Sequence, residues 1–186
     1  PLLIGMDAEW GIGMRLDDAF SFPYNMTLGA IEDESLVYKV GERIGKHANR
    51  LGVHINFAPV VDINTNPDNP IIGSRSFGED KFNVTEKALA YLKGMQSTNL
   101  MGSAKHFPGH GDTQTDSHYT LPLISFDKER IYDVELYPYK KLIENNLSSV
   151  MTAHINVPSL QKGNLPSTLS NNIINNILKN ELSFNG

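Results

Sequence analysis

Four short apolar runs recur along this 186-residue chain: Leu2 to Met6, Ile55 to Val61, Met101 to Ala104 and Ser149 to Ala153. Their spacing, about 45–50 residues, is what a strand, a loop, a helix and a return loop require in an α/β fold. Helical patterns fill the gaps. Leu36, Val37, Val40, Ile44, Ala48 and Leu51 fall on one face at three- and four-residue steps. Val84, Ala88, Leu92 and Met95 repeat the pattern behind Asp80, a residue type that caps helix N-termini. Ile173, Ile174, Ile177, Leu178 and Leu182 form a third stripe behind Ser170, and Asp127 to Asn145 is helix-like with Pro138 set to break or restart it. The predicted order is β-α-β-α-β-α-β-α in one domain, residues 1–186, and such alternation implies a parallel sheet covered by helices.

Each run ends in a titratable group: Asp7, Asp62, the Lys105-His106 pair and His154. In parallel α/β sheets the carboxyl ends of the strands form the rim on which ligands bind. Four strands delivering such groups to one rim favour a barrel over a doubly wound sheet, and no Gly-rich dinucleotide fingerprint follows the first strand. Pro1 leads directly into the first run, and the chain stops at Phe184-Asn185-Gly186, where a turn into another strand is expected. The expectation is therefore a partial (β/α)8 TIM-type barrel with four βα units, truncated at both ends and completed by the remainder of the same polypeptide.

Composition narrows the partners. The net charge of -5 gives no electrostatic reason to expect nucleic acid or an anionic membrane. No apolar run approaches the roughly 20 residues of a membrane span. With no cysteine in the chain, disulfides and thiolate metal sites are excluded, and redox usage says nothing about compartment.

The chemistry is concentrated between Lys105 and His118, which read KHFPGHGDTQTDSH: three histidines, two aspartates, a lysine, a proline and two glycines. Charged residues and histidines are rarely fully buried without partners, and the Gly/Pro content marks an irregular loop. Such a loop serves proton transfer, recognition of a sugar or phosphate, or metal binding. Asp116 and His118 sit two apart, and a carboxylate that orients an imidazole sets its tautomer for acid/base work; the plainer reading is two solvated loop residues. Lys105 and His106 end a strand and can donate to ligand hydroxyls, or Lys105 can neutralise an aspartate across the barrel mouth, and both roles are compatible. His106, His110, Asp112, Asp116 and His118 also contain zinc or iron ligand types, although Lys105 would set a positive charge beside the ion. Arg75, in GSRSFGED, could clamp a hydroxyl pair or carboxylate, or simply pair with Glu79 or Asp80. Arg15, in EWGIGMR, has the same two readings. Trp10 is a candidate sugar-stacking platform or a rim aromatic, and His47 and His54 read as ordinary helix and strand-edge residues.

KHFPGHGDTQTDSH resembles the signature loop of family 3 glycoside hydrolases of the bacterial β-N-acetylhexosaminidase branch. DAEWG, INFAPVVD, GSRSFGED, the signature and VMTAHI arrive in the family's order, so the resemblance covers nearly the whole chain. Family 3 β-glucosidases share the barrel and a related Lys-His pair but lack the DSH loop. The resemblance implies hydrolysis of terminal β-linked N-acetylglucosamine with retention, His118 being the acid/base and Asp116 its partner. It implies sugar contacts from Asp7, Arg15, Arg75, Lys105 and His106, with no cofactor and no metal. The opening motif departs from the family's DQEGG, having DAEWG and then Ile12-Gly13-Met14 before Arg15.

A retaining mechanism also needs a carboxylate nucleophile opposite the acid/base. The family's aspartate follows an LGFxG-like turn, here matched by Leu182-Ser183-Phe184-Asn185-Gly186, so the nucleophile is expected just beyond Gly186, and Asp7 and Asp62 do not match it by position. The expected ligand is an N-acetylglucosamine-containing glycan or muropeptide, as in peptidoglycan recycling, with chitin oligomers and glycoprotein glycans as other aglycone sources. A cytoplasmic and an extracytoplasmic bacterial location are equally compatible, as are hydrolysis and phosphorolysis. The rival readings are a β-glucosidase-type family 3 hydrolase, a metal-dependent hydrolase using the histidine cluster, and a non-catalytic sugar-binding fragment.

Overall fold

Four parallel strands run in the order β1-β2-β3-β4: β1 Gly5–Met6, β2 Ile55–Asn56, β3 Met101–Phe107 and β4 Ser149–Thr152. The computed structural model describes residues 2–113 and 121–186. Between the strands lie α1 (Asn25–Gly29), α2 (Glu34–Arg50), α3 (Lys81–Gln96), α4 (Lys128–Asp133) and α5 (Leu136–Ile143). After β4 comes α6 (Asn172–Glu181), a wide helix of π type. Sequential strands that pair in parallel through long helical crossovers are the expected pattern of a (β/α) barrel wall.

Three strand runs of the sequence are longer than the paired strands, whereas β3 extends past its run Met101 to Ala104 as far as Phe107 and so takes in Lys105 and His106. Pro59 has no N–H to give to a ladder, so β2 ends at Asn56. Its neighbours Ala58 and Pro59 still accept from the Ser103 and Lys105 amides, and Val61 N–H returns to Lys105 C=O. The first run is corrected more sharply: Leu2 and Leu3 were expected in a buried strand but are 83% and 69% exposed. Ile4 is tied to the start of β2 on both sides: its carbonyl accepts from the His54 and Ile55 amides, and its own N–H donates to His54 Nδ1 at 3.1 Å.

Helix ends follow their side chains. Asp33, Asp80 and Asp127 cap α2, α3 and α4 by accepting from the Ser35, Asn83 and Arg130 amides. Pro138 falls in the first turn of α5, where its missing N–H is harmless, and the predicted segment Asp127 to Asn145 accordingly resolves into α4 and α5. Ser170 Oγ accepts from Ile173 N–H ahead of the third stripe.

Helix α3 is the hub of the core, with Val84, Ala88, Tyr91, Leu92 and Met95 essentially inaccessible. It packs against α2 on one side and α5 on the other. On α2 the buried face is Val37, Gly41, Ile44, Gly45 and Ala48, whereas Leu36 and Leu51 from the predicted stripe lie exposed. The two helices approach closely because glycine is present at the crossing: a Cβ on Gly41 would stand 2.2 Å from Tyr91 C=O. Gly41→Ala should therefore destabilise the protein by about 1–3 kcal/mol through overpacking, the opposite sign from the helix-propensity gain of the same change on an open face. Urea unfolding of the two proteins measures this, and a stabilised variant would contradict the close-packed crossing.

Candidate active site

The carboxyl ends of β1 and β3 meet in a net of ionic hydrogen bonds. Lys105, at 2% exposure the deepest charged residue of β3, lies 2.9 Å from Asp7 Oδ1 and 2.7 Å from Glu9 Oε1. Glu9, also buried, turns a second interaction to Arg75, whose Nη2 and Nε lie 2.7 and 3.0 Å from its two oxygens. Asp7 Oδ2 accepts from Arg15 Nη2 at 2.7 Å. Arg75 Nη1 is fixed by Ile71 C=O at 3.1 Å, and its Nη2 stands 3.4 Å from His106 Nε2. On the far side of that ring, Nδ1 lies 2.6 Å from Asp62 Oδ2. Burial works to raise all three carboxyls, yet each sits below the usual carboxylate range. Lys105 and Arg15 outweigh burial at Asp7, Arg75 and Lys105 at Glu9, and the His106 and His110 rings with their N–H donors at Asp62.

Asp7, Arg15, Arg75, Lys105 and His106, all predicted from the sequence, thus fall into one connected cluster. Asp7, Arg15, Arg75 and His106 keep part of their surface open, while Lys105 and Glu9 form the floor. Lys105 does neutralise an aspartate across the mouth. Arg75 differs from the alternative drawn for it: its carboxylate is Glu9, not Glu79 or Asp80, and Asp80 is committed to its helix cap. His154 stays apart, exposed, with Nδ1 2.8 Å from Thr168 Oγ1. Trp10 packs edge-on against Tyr24. Asp116 and His118 lie outside the described residues.

The stem of the signature segment is held from several elements. Asp62 Oδ1 accepts from the backbone amides of His106 and His110 at 3.2 and 2.7 Å. Asn69 Nδ2 donates to the carbonyls of His110 and Gly111 at 2.8 and 2.9 Å. Gly111 is required where it stands, since a Cβ there would lie 1.8 Å from Ile63 C=O. His110 is buried with Nδ1 against Thr113 Oγ1, and burial pushes its imidazole below the ordinary value. Asp112 accepts from Thr65 Oγ1 and, at 3.1 Å, from Arg130 Nη2, which also reaches Glu135. Among the described residues, then, His106, His110 and Asp112 of the weighed metal set each have separate protein partners.

Glu9 and Asp62 are members of this cluster that the sequence does not mark as site residues. Glu9 had a signal: it is two residues from Asp7 at the end of a strand, where alternate residues share a face. Asp62 was recognised as a strand-end acid, but its pairing with His106, 44 residues away, has no local signature.

The sequence profile of the glycosyl hydrolase family 3 N terminal domain matches residues 1–186. The chain belongs to this family. Beta-hexosaminidase A of Pseudoalteromonas piscicida is 38% identical over all of the chain and 34% of its own length. A family 3 beta-N-acetylglucosaminidase from Paenibacillus sp. strain FPU-7 superposes with a TM-score of 0.96 at 41% identity, over all of the chain and 36% of that protein. Beta-glucoside phosphorylase BglX superposes at 0.95 with 29% identity, again over the whole chain and 36% of its own. The family 3 chain thus spans about a third of the length of each of these relatives.

Two measurements follow from the family 3 site. Glu9→Gln leaves Lys105 and Arg75 without their shared buried carboxylate, which should destabilise the protein by about 3–5 kcal/mol in urea unfolding; a loss under 1 kcal/mol would mean the two cations find other partners. Glu135 supplies a pH test. Burial, opposed by Arg130, pushes its carboxyl up to about 7 from an ordinary 4.5. Between those values the folded state binds the proton more tightly than the unfolded chain, so this group's contribution falls as pH rises through about 7. His110, held below its ordinary value, contributes the opposite slope. The stability of Glu135→Gln relative to wild type should therefore grow by about 2–3 kcal/mol between pH 5 and pH 8, and a pH-independent difference would contradict the raised carboxyl.

Proposed function

We propose that this domain provides the sugar pocket and the proton-transfer group of a retaining exo-β-N-acetylglucosaminidase. The observation that carries the reading is the balanced polar mouth. Three carboxylates (Asp7, Glu9, Asp62) answer three fixed cations (Lys105, Arg75, Arg15), leaving directional hydrogen-bonding groups with little net charge. Such a mouth suits a neutral polyol better than a phosphate or a free carboxylate. The hydrolytic names of the hexosaminidase and N-acetylglucosaminidase relatives support the same chemistry, and the DSH triplet supports N-acetylglucosaminides over glucosides.

In this reading Asp7, Arg15, Arg75, Lys105 and His106 hold the sugar hydroxyls. In the first step His118, as imidazolium, donates its proton to the glycosidic oxygen while a carboxylate attacks the anomeric carbon, so the C–O bond breaks and the aglycone leaves as an alcohol. In the second, neutral His118 takes a proton from water as that water displaces the carboxylate. Asp116 keeps the ring aligned in both. The nucleophile is neither Asp62, buried and accepting from three N–H groups, nor Asp7, bonded to Lys105 and Arg15. We assign it to the part of the relatives' length that this chain does not span. The protein needs no organic cofactor and no metal for these steps. The resemblance to a phosphorylase favours a second reading, in which phosphate replaces water in the second step; formation of a sugar 1-phosphate in phosphate buffer distinguishes it.

The deciding experiment is the leaving-group dependence of His118→Ala in the full-length protein. Turnover of glycosides with poor leaving groups should fall by about 10²-fold or more. The loss should shrink for aryl glycosides that depart with little protonation. A loss equal across all leaving groups would remove His118 from proton transfer.

A further inference from the structure

Asp62 divides its two oxygens between different tasks. Oδ1 accepts the backbone amides of His106 and His110, and Oδ2 faces the ring Nδ1 of His106 at 2.6 Å. The opposite ring nitrogen, Nε2, stands 3.4 Å from Arg75 Nη2. A guanidinium carries only donors, and a neutral imidazole has one donor and one acceptor. The nitrogen that faces Arg75 is therefore the acceptor, and the proton belongs on Nδ1, against the carboxylate.

We propose that Asp62 is a positioning residue that fixes His106 as the Nδ1–H tautomer, so that Nε2 presents a lone pair at the mouth and accepts a hydrogen bond from one hydroxyl of the bound sugar. The inference rests on the sugar-binding reading of this site and extends it to specificity. The other polar groups there are already assigned: Lys105, Arg75 and Arg15 donate, and the oxygens of Asp7 accept from Lys105 and Arg15. The ring, 17% exposed, adds an acceptor next to a donor. A hydroxyl seated between them replaces the 3.4 Å Arg75–Nε2 contact of the sugar-free site, giving its proton to the Nε2 lone pair and taking one from Arg75 Nη2. A fluorine or ether oxygen at the same position only accepts, and would set its lone pairs against that of Nε2. A site built to pair a hydroxyl rejects an analogue lacking it because its own polar group is left unpaired.

Asp62→Asn reverses the tautomer in a defined way. The amide oxygen is retained by the two backbone N–H groups, so the amide NH₂ takes the place of Oδ2 and donates to Nδ1. The ring proton then moves to Nε2. Nitrogen-15 NMR of the imidazoles, read on the full-length, sugar-free protein with His106→Gln to assign the signal, should show Nδ1 protonated in wild type and Nε2 protonated in Asp62→Asn. Kinetics on N-acetylglucosaminides fluorinated at each free ring hydroxyl in turn give the ligand half. In wild type one position should lose about 10²-fold in kcat/KM, mostly through KM. In Asp62→Asn the parent substrate should lose tenfold or more, while the penalty for fluorine at that position shrinks to a few-fold. Nε2 protonated in wild type, an unchanged tautomer in Asp62→Asn, or the same fluorine penalty in both proteins would each overturn the proposal. Should Asp62→Asn fail to fold, the wild-type NMR and fluorine scan decide alone: Nε2 protonation, or no sensitive position, overturns it. A protein that turned over no N-acetylglucosaminide would defeat the reaction assigned above, while the tautomer would still be settled by the NMR.

Discussion

A buried lysine organises this domain. An ammonium group taken out of water without a partner costs several kcal/mol or loses its proton, so Lys105 at the end of β3 requires carboxylates close by. Asp7 and Glu9, at the end of β1, supply them. These strands are not neighbours; β2 lies between them. The ion pairs therefore bridge across the sheet at its carboxyl end and fix how the strand ends stand relative to one another. Glu9 carries the constraint on to Arg75 in the loop after β2, and Asp7 carries it to Arg15. Packing of α2, α3 and α5 supplies the stability, and the buried charges specify one arrangement of the rim.

Much of the fold was legible because it is written in local periodicity. The helical stripe Val84, Ala88, Leu92 and Met95 and the Asp80 cap describe α3 correctly, since both depend on residues within a few positions of each other. The strands were legible in place but not in extent. Pro59 interrupts β2 by removing a donor, and Leu2 and Leu3 read as buried only because an apolar run does not state whether anything covers it. The two-part character of the Asp127 to Asn145 segment followed from Pro138, whose effect is again local.

The site divides along the same line. Asp7, Lys105 and His106 could be found because a titratable residue directly after a strand run has a known destination. Arg75 is marked by its Gly-flanked loop, but the local sequence offers Glu79 and Asp80 as its partners, and the structure supplies Glu9 from 66 residues away. Asp62 reads locally only as a strand-end acid for the same reason, since its partner His106 lies 44 residues away. Partners chosen by tertiary approach leave no periodic trace in a single sequence, whereas motifs confined to one turn or one strand end do.

This pattern bears on what the signature segment is for. A catalytic group is useful only if the groups around it are held within a fraction of an ångström, and loops are less precise supports than strands. Lys105 and His106 solve this by belonging to β3 itself. The residues that follow are tied down by groups from outside the segment: Asp62 and Asn69 from beyond β2, Thr65 on Asp112, and Arg130 of α4, which joins Asp112 to Glu135. The ring of His106 and the backbone of His110 thus depend on one carboxylate, Asp62. In the proposed sugar-binding reading, recognition at His106 and the placement of the stem that precedes the Asp116–His118 motif in the sequence are coupled through that residue. A change at Asp62 that spares the two backbone hydrogen bonds and alters only the ring contact separates the two effects, which is why asparagine there is more informative than alanine.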